Sequence, residues 1–309
     1  MNDDSVIRTR GLTKYFGRKA AVYELDLDVP HGCVFAFLGR NGSGKTTTIR
    51  MLMGLLAPTR GTGTILGQNI RALTPEIRAR IGYLTEEHQL YGWMKVKDCG
   101  EFQSKFFPKW NSKIFNGVIG HFGLKPAARV KDLSRGERAG LCLALTLAQE
   151  PELLMLDDPG LGLDPVARRA LVESMIYLTR KSDRTIFFSS HHLSDVERVA
   201  DYVAVFDRSI LRACCPLEKF QDSVQQVRLR FPGAPPALPQ IPGLLQAIRT
   251  DNELRVTCVG YNGATESILR TLSPLELEPV PLGLEDAFIS YLGERGEKTF
   301  ILSELEAKA

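Results

Sequence analysis

Apolar and polar positions alternate in short runs through the first quarter of the chain. Val6 to Arg10 alternates weakly and predicts an edge strand. Val22 to Val29, with Val22, Leu25, Leu27 and Val29 apolar, predicts a second. Val34 to Leu38 is apolar throughout and stops at Gly39, the pattern of a buried strand. A glycine-rich turn follows. Ile49, Leu52, Met53 and Leu56 then recur at helical spacing and predict a helix from Gly44 to Leu56. Pro58 to Gly61 reads as a turn and Thr64 to Leu66 as a strand.

From about Leu90 to Gln149 the period changes to that of helices, which predicts an inserted helical lobe. Buried-strand runs return at Leu153 to Leu156, Thr185 to Ser189 and Val203 to Phe206. Strands alternating with helices predict an α/β fold around a largely parallel, doubly wound sheet. Near residue 216 the character shifts again. Phe231 to Gly243 carries five prolines and reads as a loop, Glu253 to Val259 alternates, and Ala264 to Leu272 and Leu284 to Leu292 have helical spacing. The expected organisation is a main domain over 1–216, with its helical lobe at about 90–149, and a small C-terminal α/β accessory domain over 217–309.

Composition agrees with this division. A chain of 309 residues suits two domains, and 44% hydrophobic with 24% charged residues is a globular balance. The net charge of +3 predicts neither a nucleic-acid footprint nor a polybasic membrane patch. The six cysteines (Cys33, Cys99, Cys142, Cys214, Cys215 and Cys258) form no C-x-x-C pair and cluster only as the vicinal Cys214-Cys215, and most read as small core residues in a reducing compartment. No apolar run approaches the roughly 18 residues of a membrane span, and the acidic start Met-Asn-Asp-Asp-Ser is no signal peptide. A cytosolic protein is expected unless a partner holds it elsewhere.

One segment carries chemistry by itself. Gly39-Arg40-Asn41-Gly42-Ser43-Gly44-Lys45-Thr46 fits G-x-x-x-x-G-K-[ST] between a predicted strand and a predicted helix. Glycines let the backbone wrap phosphate oxygens with several N–H groups pointing inward, and the helix start adds positive potential. Lys45 would reach the β- and γ-phosphates and the Thr46 hydroxyl would ligand Mg²⁺, so a nucleoside triphosphate site is predicted. Thr47 continues the segment into the helix.

Three further segments follow: Leu133-Ser134-Arg135-Gly136-Glu137 before a helix of small and apolar residues; Leu153 to Leu156 ending in Asp157-Asp158-Pro159, then Gly162-Leu163-Asp164-Pro165; and Phe187 to Ser190 ending in His191. In this order and spacing the chain resembles the nucleotide-binding subunits of ABC transporters over roughly residues 5–215, and within them the single-cassette subunits of bacterial ABC-2 type exporters. That resemblance implies a RecA-like P-loop NTPase core with an antiparallel β edge and a helical signature subdomain. It assigns Tyr15 to adenine stacking and Asp157 to Mg²⁺. Ser134, Arg135, Gly136 and Glu137 become the signature segment that meets ATP held by another cassette. Asp164 becomes the aspartate of the D-loop, and Ser134 and Asp164 would also serve as helix N-caps. His191 becomes the contact to the γ-phosphate and attacking water, while His192 has no family role. Glu86 occupies the Q-loop position as an oxygen ligand to Mg²⁺. The loop from Leu90 to Met94, with Tyr91 and Trp93, falls where the family receives a helix of its membrane subunit.

The chain departs from the family pattern in places. Asp158 stands where glutamate, the presumed general base, is usual, and one methylene less draws the carboxylate back by roughly 1.5 Å. Slow hydrolysis is therefore expected, because misplacement of about 1 Å can cost on the order of 10²-fold. Glu137 puts a charge where a neutral amide is common, beside Arg135 and Arg138. The expected protein is an ATP hydrolase using ATP and Mg²⁺, paired as a homodimer or heterodimer of cassettes. It would be held by a transmembrane permease at the cytoplasmic face of the inner membrane, with no nucleic-acid partner. The alternatives are a slow or regulatory ATP-binding cassette, or a soluble ABC ATPase outside transport.

Overall fold

The computed structural model describes residues 5–86, 89–161, 163–182 and 184–293, without the side chains of 176–182. Gly162 of the sequence motifs lies outside the described residues. The chain divides into two compact units, the first ending at Cys215 and the second beginning at Pro216.

The first unit contains two sheets. Strands β1 (Ser5–Phe16), β2 (Lys19–Pro30), β4 (Arg60–Ile65) and β5 (Gln68–Asn69) form a sheet of order β2-β1-β4-β5, with its neighbours antiparallel. The expected edge strand at Val6 to Arg10 is thus a central strand, paired on both sides and, at 12 residues, more than twice the predicted length. Its alternation breaks at Gly11, where φ is +56° and the register shifts, and that bulge hides the second half from a period-2 reading. The other sheet has the order β10-β9-β3-β8-β7-β6. Its strands are β3 (Val34–Leu38), β6 (Ile81–Leu84), β7 (Leu153–Asp157), β8 (Thr185–Ser190), β9 (Tyr202–Asp207) and β10 (Ile210–Pro216). The pairs β3–β8, β3–β9, β7–β8 and β6–β7 are parallel. Every residue of β3, β7 and β8 is buried, as expected of strands covered on both faces.

Helix α1 (Lys45–Leu52) packs Ile49, Met51 and Leu52 into the core between the sheets, beside Leu12, Leu25, Phe35, Phe37 and Phe206. It is shorter than predicted. Gly54, at φ +65°, takes the left-handed position after the helix, and the Leu55 and Leu56 N–H groups turn back onto the Arg50 carbonyl (2.9 and 3.1 Å). The apolar spacing at Leu56 therefore continues into the turn and not the helix.

After the short α2 (Pro75–Arg78), the helical lobe comprises α3 (Val96–Ser104), α4 (Ser112–His121) and α5 (Arg135–Leu147). It has its own core of Met94, Val96, Phe115, Ile119, Val130, Leu141 and Leu145. Helix α6 (Pro165–Ser182) and α7 (Leu193–Val199) complete this unit. Among the described residues no helix is long and apolar enough to cross a membrane. None of the six cysteines, all of them among the described residues, forms a disulfide. Cys33, Cys99 and Cys258 are buried, Cys142 and Cys215 are half-buried and Cys214 is exposed.

The second unit opens with α8 (Leu217–Ser223) and builds an antiparallel sheet of order β12-β13-β11-β14. Its strands are β11 (Val224–Arg230), β12 (Leu244–Arg249), β13 (Glu253–Val259) and β14 (Glu276–Val280), with helices α9 (Gly263–Arg270) and α10 (Leu284–Gly293). One sheet face supplies Val227, Leu229, Leu254, Val256 and Cys258 to a core closed by Leu269. Arg228 and Arg230, of the opposite parity on β11, form ion pairs with Glu253, Glu276 and Glu278.

Candidate nucleotide site

Strand β3 ends at Leu38, and the chain turns through residues 39–44 into α1. Two glycines make this turn possible. At Gly39 an added Cβ would lie 2.2 Å from the Phe206 carbonyl oxygen, and at Gly44, with φ +114°, it would lie 2.1 Å from that of Ala21. No other residue lets the loop sit this close to both sheets. Beside it opens a cleft of about 540 Å³ lined by Asn41, Gly42, Gly44, Lys45, Thr46, Thr47, Glu86, Asp157, Asp158 and Ser189.

Lys45 is buried, and its ammonium donates to the carbonyl oxygens of Gly39 (2.7 Å) and Arg40 (3.3 Å). Burial pulls its pKa below the usual lysine range, while Asp158, Asp157 and Glu86 oppose that pull. Across the cleft, Asp157 Oδ1 accepts from the hydroxyls of Thr46 (3.1 Å) and Ser189 (2.9 Å). Burial pushes the Asp157 carboxyl up against the opposing effect of these hydrogen bonds. Ser189 Oγ also accepts the N–H of Asp158 (2.9 Å), so one hydroxyl bridges the consecutive carboxylate residues. Asp158 follows β7 in the left-handed region, at φ +45°, which aspartate tolerates better than most residues. Its Oδ2 lies 2.5 Å from His191 Nδ1, and its Oδ1 is buried with no hydrogen-bond partner among the described residues. The His191 ring packs against His192 at 4.0 Å. Burial and the neighbouring His191 and Arg168 lower the His192 pKa.

The aromatic residue at this cleft is Phe16 and not Tyr15. Phe16, 54% exposed, lines the cleft with Lys19 and Ala21, and Lys14 Nζ lies 5.4 Å from its ring centre. Successive strand residues face opposite ways, so a difference of one position decides which ring meets the cleft. Phe16 pairs with Lys19 and Tyr15 with Ala20, which makes that parity readable from a hairpin register. Gly39, Arg40 and Ser43 shape the loop without lining the cleft. The Ser43 N–H donates to the Arg40 carbonyl (3.1 Å).

The signature residues lie elsewhere. Ser134, Gly136, Glu137 and Asp164 line a second cleft, of about 500 Å³, with Ala167, Arg169 and Glu173, and the two clefts share no residue. Arg135 opens α5 as an exposed residue. Ser134 and Glu137 close a reciprocal cap on that helix. Glu137 N–H donates to Ser134 Oγ (3.2 Å) and Ser134 N–H to Glu137 Oε2 (2.8 Å). Asp164 Oδ1 caps α6 by accepting from the N–H groups of Val166 (2.9 Å) and Ala167 (3.0 Å). A third cleft, of about 640 Å³, lies in the helical lobe and is lined by Leu90, Tyr91, Met94, Phe102, Gln103 and Arg138.

Known proteins match this arrangement. The family model described as ABC transporter matches residues 22–160. The bacitracin transport ATP-binding protein BcrA of Bacillus licheniformis is 35% identical over 216 residues, covering 69% of this chain and 71% of BcrA. The chain belongs to the ATP-binding subunits of ABC transporters. The Nod factor export ATP-binding protein I of Cupriavidus metallidurans is 33% identical over 208 residues, covering 66% of this chain and 68% of that protein. In fold, the chain matches the ATP-binding cassette MJ0796, solved as a dimer bound to ADP and phosphate. The TM-score is 0.62 and the identity 18%, over 68% of this chain and 98% of that one. As an ABC subunit the chain binds ATP, and its mixed α/β architecture is that of the cassette fold.

Proposed function

We propose that two cassettes of this kind each hold MgATP on the phosphate loop and close over it, each completing the other's site, to drive an export permease. The observation that carries this reading is the division of the site residues between two clefts. Lys45, Thr46, Asp157 and Asp158 line one; Ser134, Gly136 and Asp164 line another. A triphosphate in the first cleft reaches the second set by way of a second cassette. The test is association. ATP-dependent dimerisation of Asp158→Asn, followed by light scattering, should disappear when Ser134→Arg is added to the same chain. A doubly substituted chain that dimerises as well as Asp158→Asn alone would defeat the reading.

Within the first cleft, Phe16 stacks on the adenine and the loop N–H groups with Lys45 hold the phosphates. The oxygens of Thr46, Asp157 and Glu86 suit Mg²⁺, a hard ion commonly held by one or two carboxylates together with substrate phosphates. When bound, Mg²⁺ supplies neutralisation of phosphate charge. Asp158 Oδ1 has free acceptor capacity for the attacking water, and His191, held through Oδ2, faces the γ-phosphate. Closure then turns the attached permease, and loss of the γ-phosphate releases it. Tyr91 and Phe102 in the lobe cleft suit an apolar helix of that permease. The permease would hold the cassette at the cytoplasmic face of the inner membrane. The kinship with the bacitracin and Nod factor proteins favours export.

A slow or regulatory cassette is the second reading. The observation favouring it is the short Asp158 side chain, already engaged with His191. Turnover measured with the purified permease separates a motor from a clamp.

A further inference from the structure

The net charge of +3 conceals a concentration of cations. Between residues 91 and 132 the chain carries eight Lys and Arg against three Asp and Glu. Five of the eight are brought together by the backbone. Residues 92–97 run against 126–131, joined by hydrogen bonds from Val130 N–H to the Met94 carbonyl (2.9 Å), Lys131 to Gly92 (3.0 Å), Val96 to Ala128 (3.0 Å) and Lys97 to Pro126 (3.0 Å). Lys95 and Arg129 are direct antiparallel partners in this pairing. Met94, Val96 and Val130 turn into the lobe core, so the alternating residues Trp93, Lys95, Arg129 and Lys131 face outward, and all four are exposed. Lys97 and Lys125 flank them, also exposed.

Two features of this face run against folding stability. Like charges directly opposed across a strand pair repel, and Lys95 with Arg129 is such a pair. Among the described residues none of Lys95, Lys97, Lys125, Arg129 and Lys131 forms an ion pair. The neighbouring Asp98 instead accepts the backbone N–H of Lys95 (3.4 Å). Trp93 is 73% exposed, contacts the 61%-exposed Tyr91 at 6.0 Å, and lines none of the clefts described above. A cluster of uncompensated cations beside an exposed indole matches an anionic interface. Lysine and arginine attract acidic headgroups, and tryptophan settles at the boundary between headgroup and acyl chain.

We propose that the face of the helical lobe carrying Trp93, Lys95, Lys97, Lys125, Arg129 and Lys131 binds the surface of an anionic bilayer. This contact is separate from nucleotide binding, and it adjoins the cleft assigned above to the permease helix, since Tyr91 lines that cleft and touches Trp93. It would give the cassette an affinity for acidic lipid that needs no permease.

The test is flotation of the full chain with phosphatidylcholine vesicles containing phosphatidylglycerol, against vesicles of phosphatidylcholine alone. The expected result is binding to the acidic vesicles that weakens as salt is raised, with a blue shift of tryptophan emission that Trp93→Phe removes. The triple variant Lys95→Gln, Arg129→Gln, Lys131→Gln should lose about 100-fold in partitioning, at about fivefold per charge, with ATP turnover unchanged. Equal binding to both vesicle types, no binding, or wild-type binding by the triple variant would overturn the proposal. Dependence on these residues only when the permease is present would also overturn it, in favour of an acidic protein segment. None of these outcomes bears on the ATP site.

Discussion

Asp158 Oδ2 and His191 Nδ1 lie 2.5 Å apart, and the second oxygen of the same carboxylate is buried without a partner among the described residues. One oxygen is thus engaged with the histidine, and on the proposed function the other is left for the attacking water. A glutamate at this position could advance the free oxygen by roughly 1.5 Å while keeping the charge. Asp158→Glu should raise steady-state ATP turnover by about tenfold or more, given how steeply rate depends on ångström placement. An unchanged or lower rate would count against the geometric argument. At φ +45° the longer residue should also cost a little stability, read as a small drop in melting temperature.

Glu137 presents a carboxylate at the start of α5, the segment proposed to meet the γ-phosphate of a partner cassette. Glu137→Gln retains an oxygen to accept the Ser134 N–H while removing the charge. It should strengthen ATP-driven dimerisation by about 1 kcal/mol per site, the scale of one exposed charge interaction. Weaker dimerisation would mean that the helix cap itself needs the carboxylate.

Replacing Phe16 with Ala should raise the KM for ATP by the loss of one stacking contact, about 1–3 kcal/mol. Tyr15→Ala should change it little. The reverse order in a nucleotide-binding assay would restore Tyr15 as the adenine platform.

Asp157 illustrates a conflict between stability and use. Burial raises its carboxyl above the ordinary value of 3.8. A raised acid holds its proton more tightly when folded, so its contribution favours the fold fully below 3.8 and is lost as pH rises through the raised value. As pH rises past that raised value the carboxyl becomes a cost to the nucleotide-free protein. Asp157→Asn should therefore melt higher than wild type at neutral pH, with the difference shrinking in acid, and should lose the Mg²⁺-dependent part of ATP binding. A lower melting temperature at neutral pH would show that the hydrogen bonds from Thr46 and Ser189 require the charge.

Much of the site was legible because phosphate chemistry demands particular residue types in sequence. The glycines at 39 and 44, followed by Lys45 and Thr46, leave few other readings. The buried strands β3, β7 and β8 were equally plain, since both faces are apolar. The failures occur where geometry interrupts a period. The bulge at Gly11 concealed half of β1, and Gly54 ended α1 before its apolar pattern stopped. The parity of the hairpin, which a period-2 reading does not give, puts Phe16 on the cleft. The cation cluster of the lobe was hidden by arithmetic, because a whole-chain charge cannot report two distant segments placed side by side.

The approach of Gly44 to Ala21 has a further consequence. The backbone of β2 acts there as a mechanical stop for the phosphate loop, and the same strand, through Lys19, pairs with Phe16. The ring proposed to meet the base and the amides proposed to meet the phosphates are therefore both tied to β2. On the proposed reading the protein would measure a nucleotide end to end, as a gauge of fixed span, and a ligand too long or too short would fail at one jaw even when it satisfied the other.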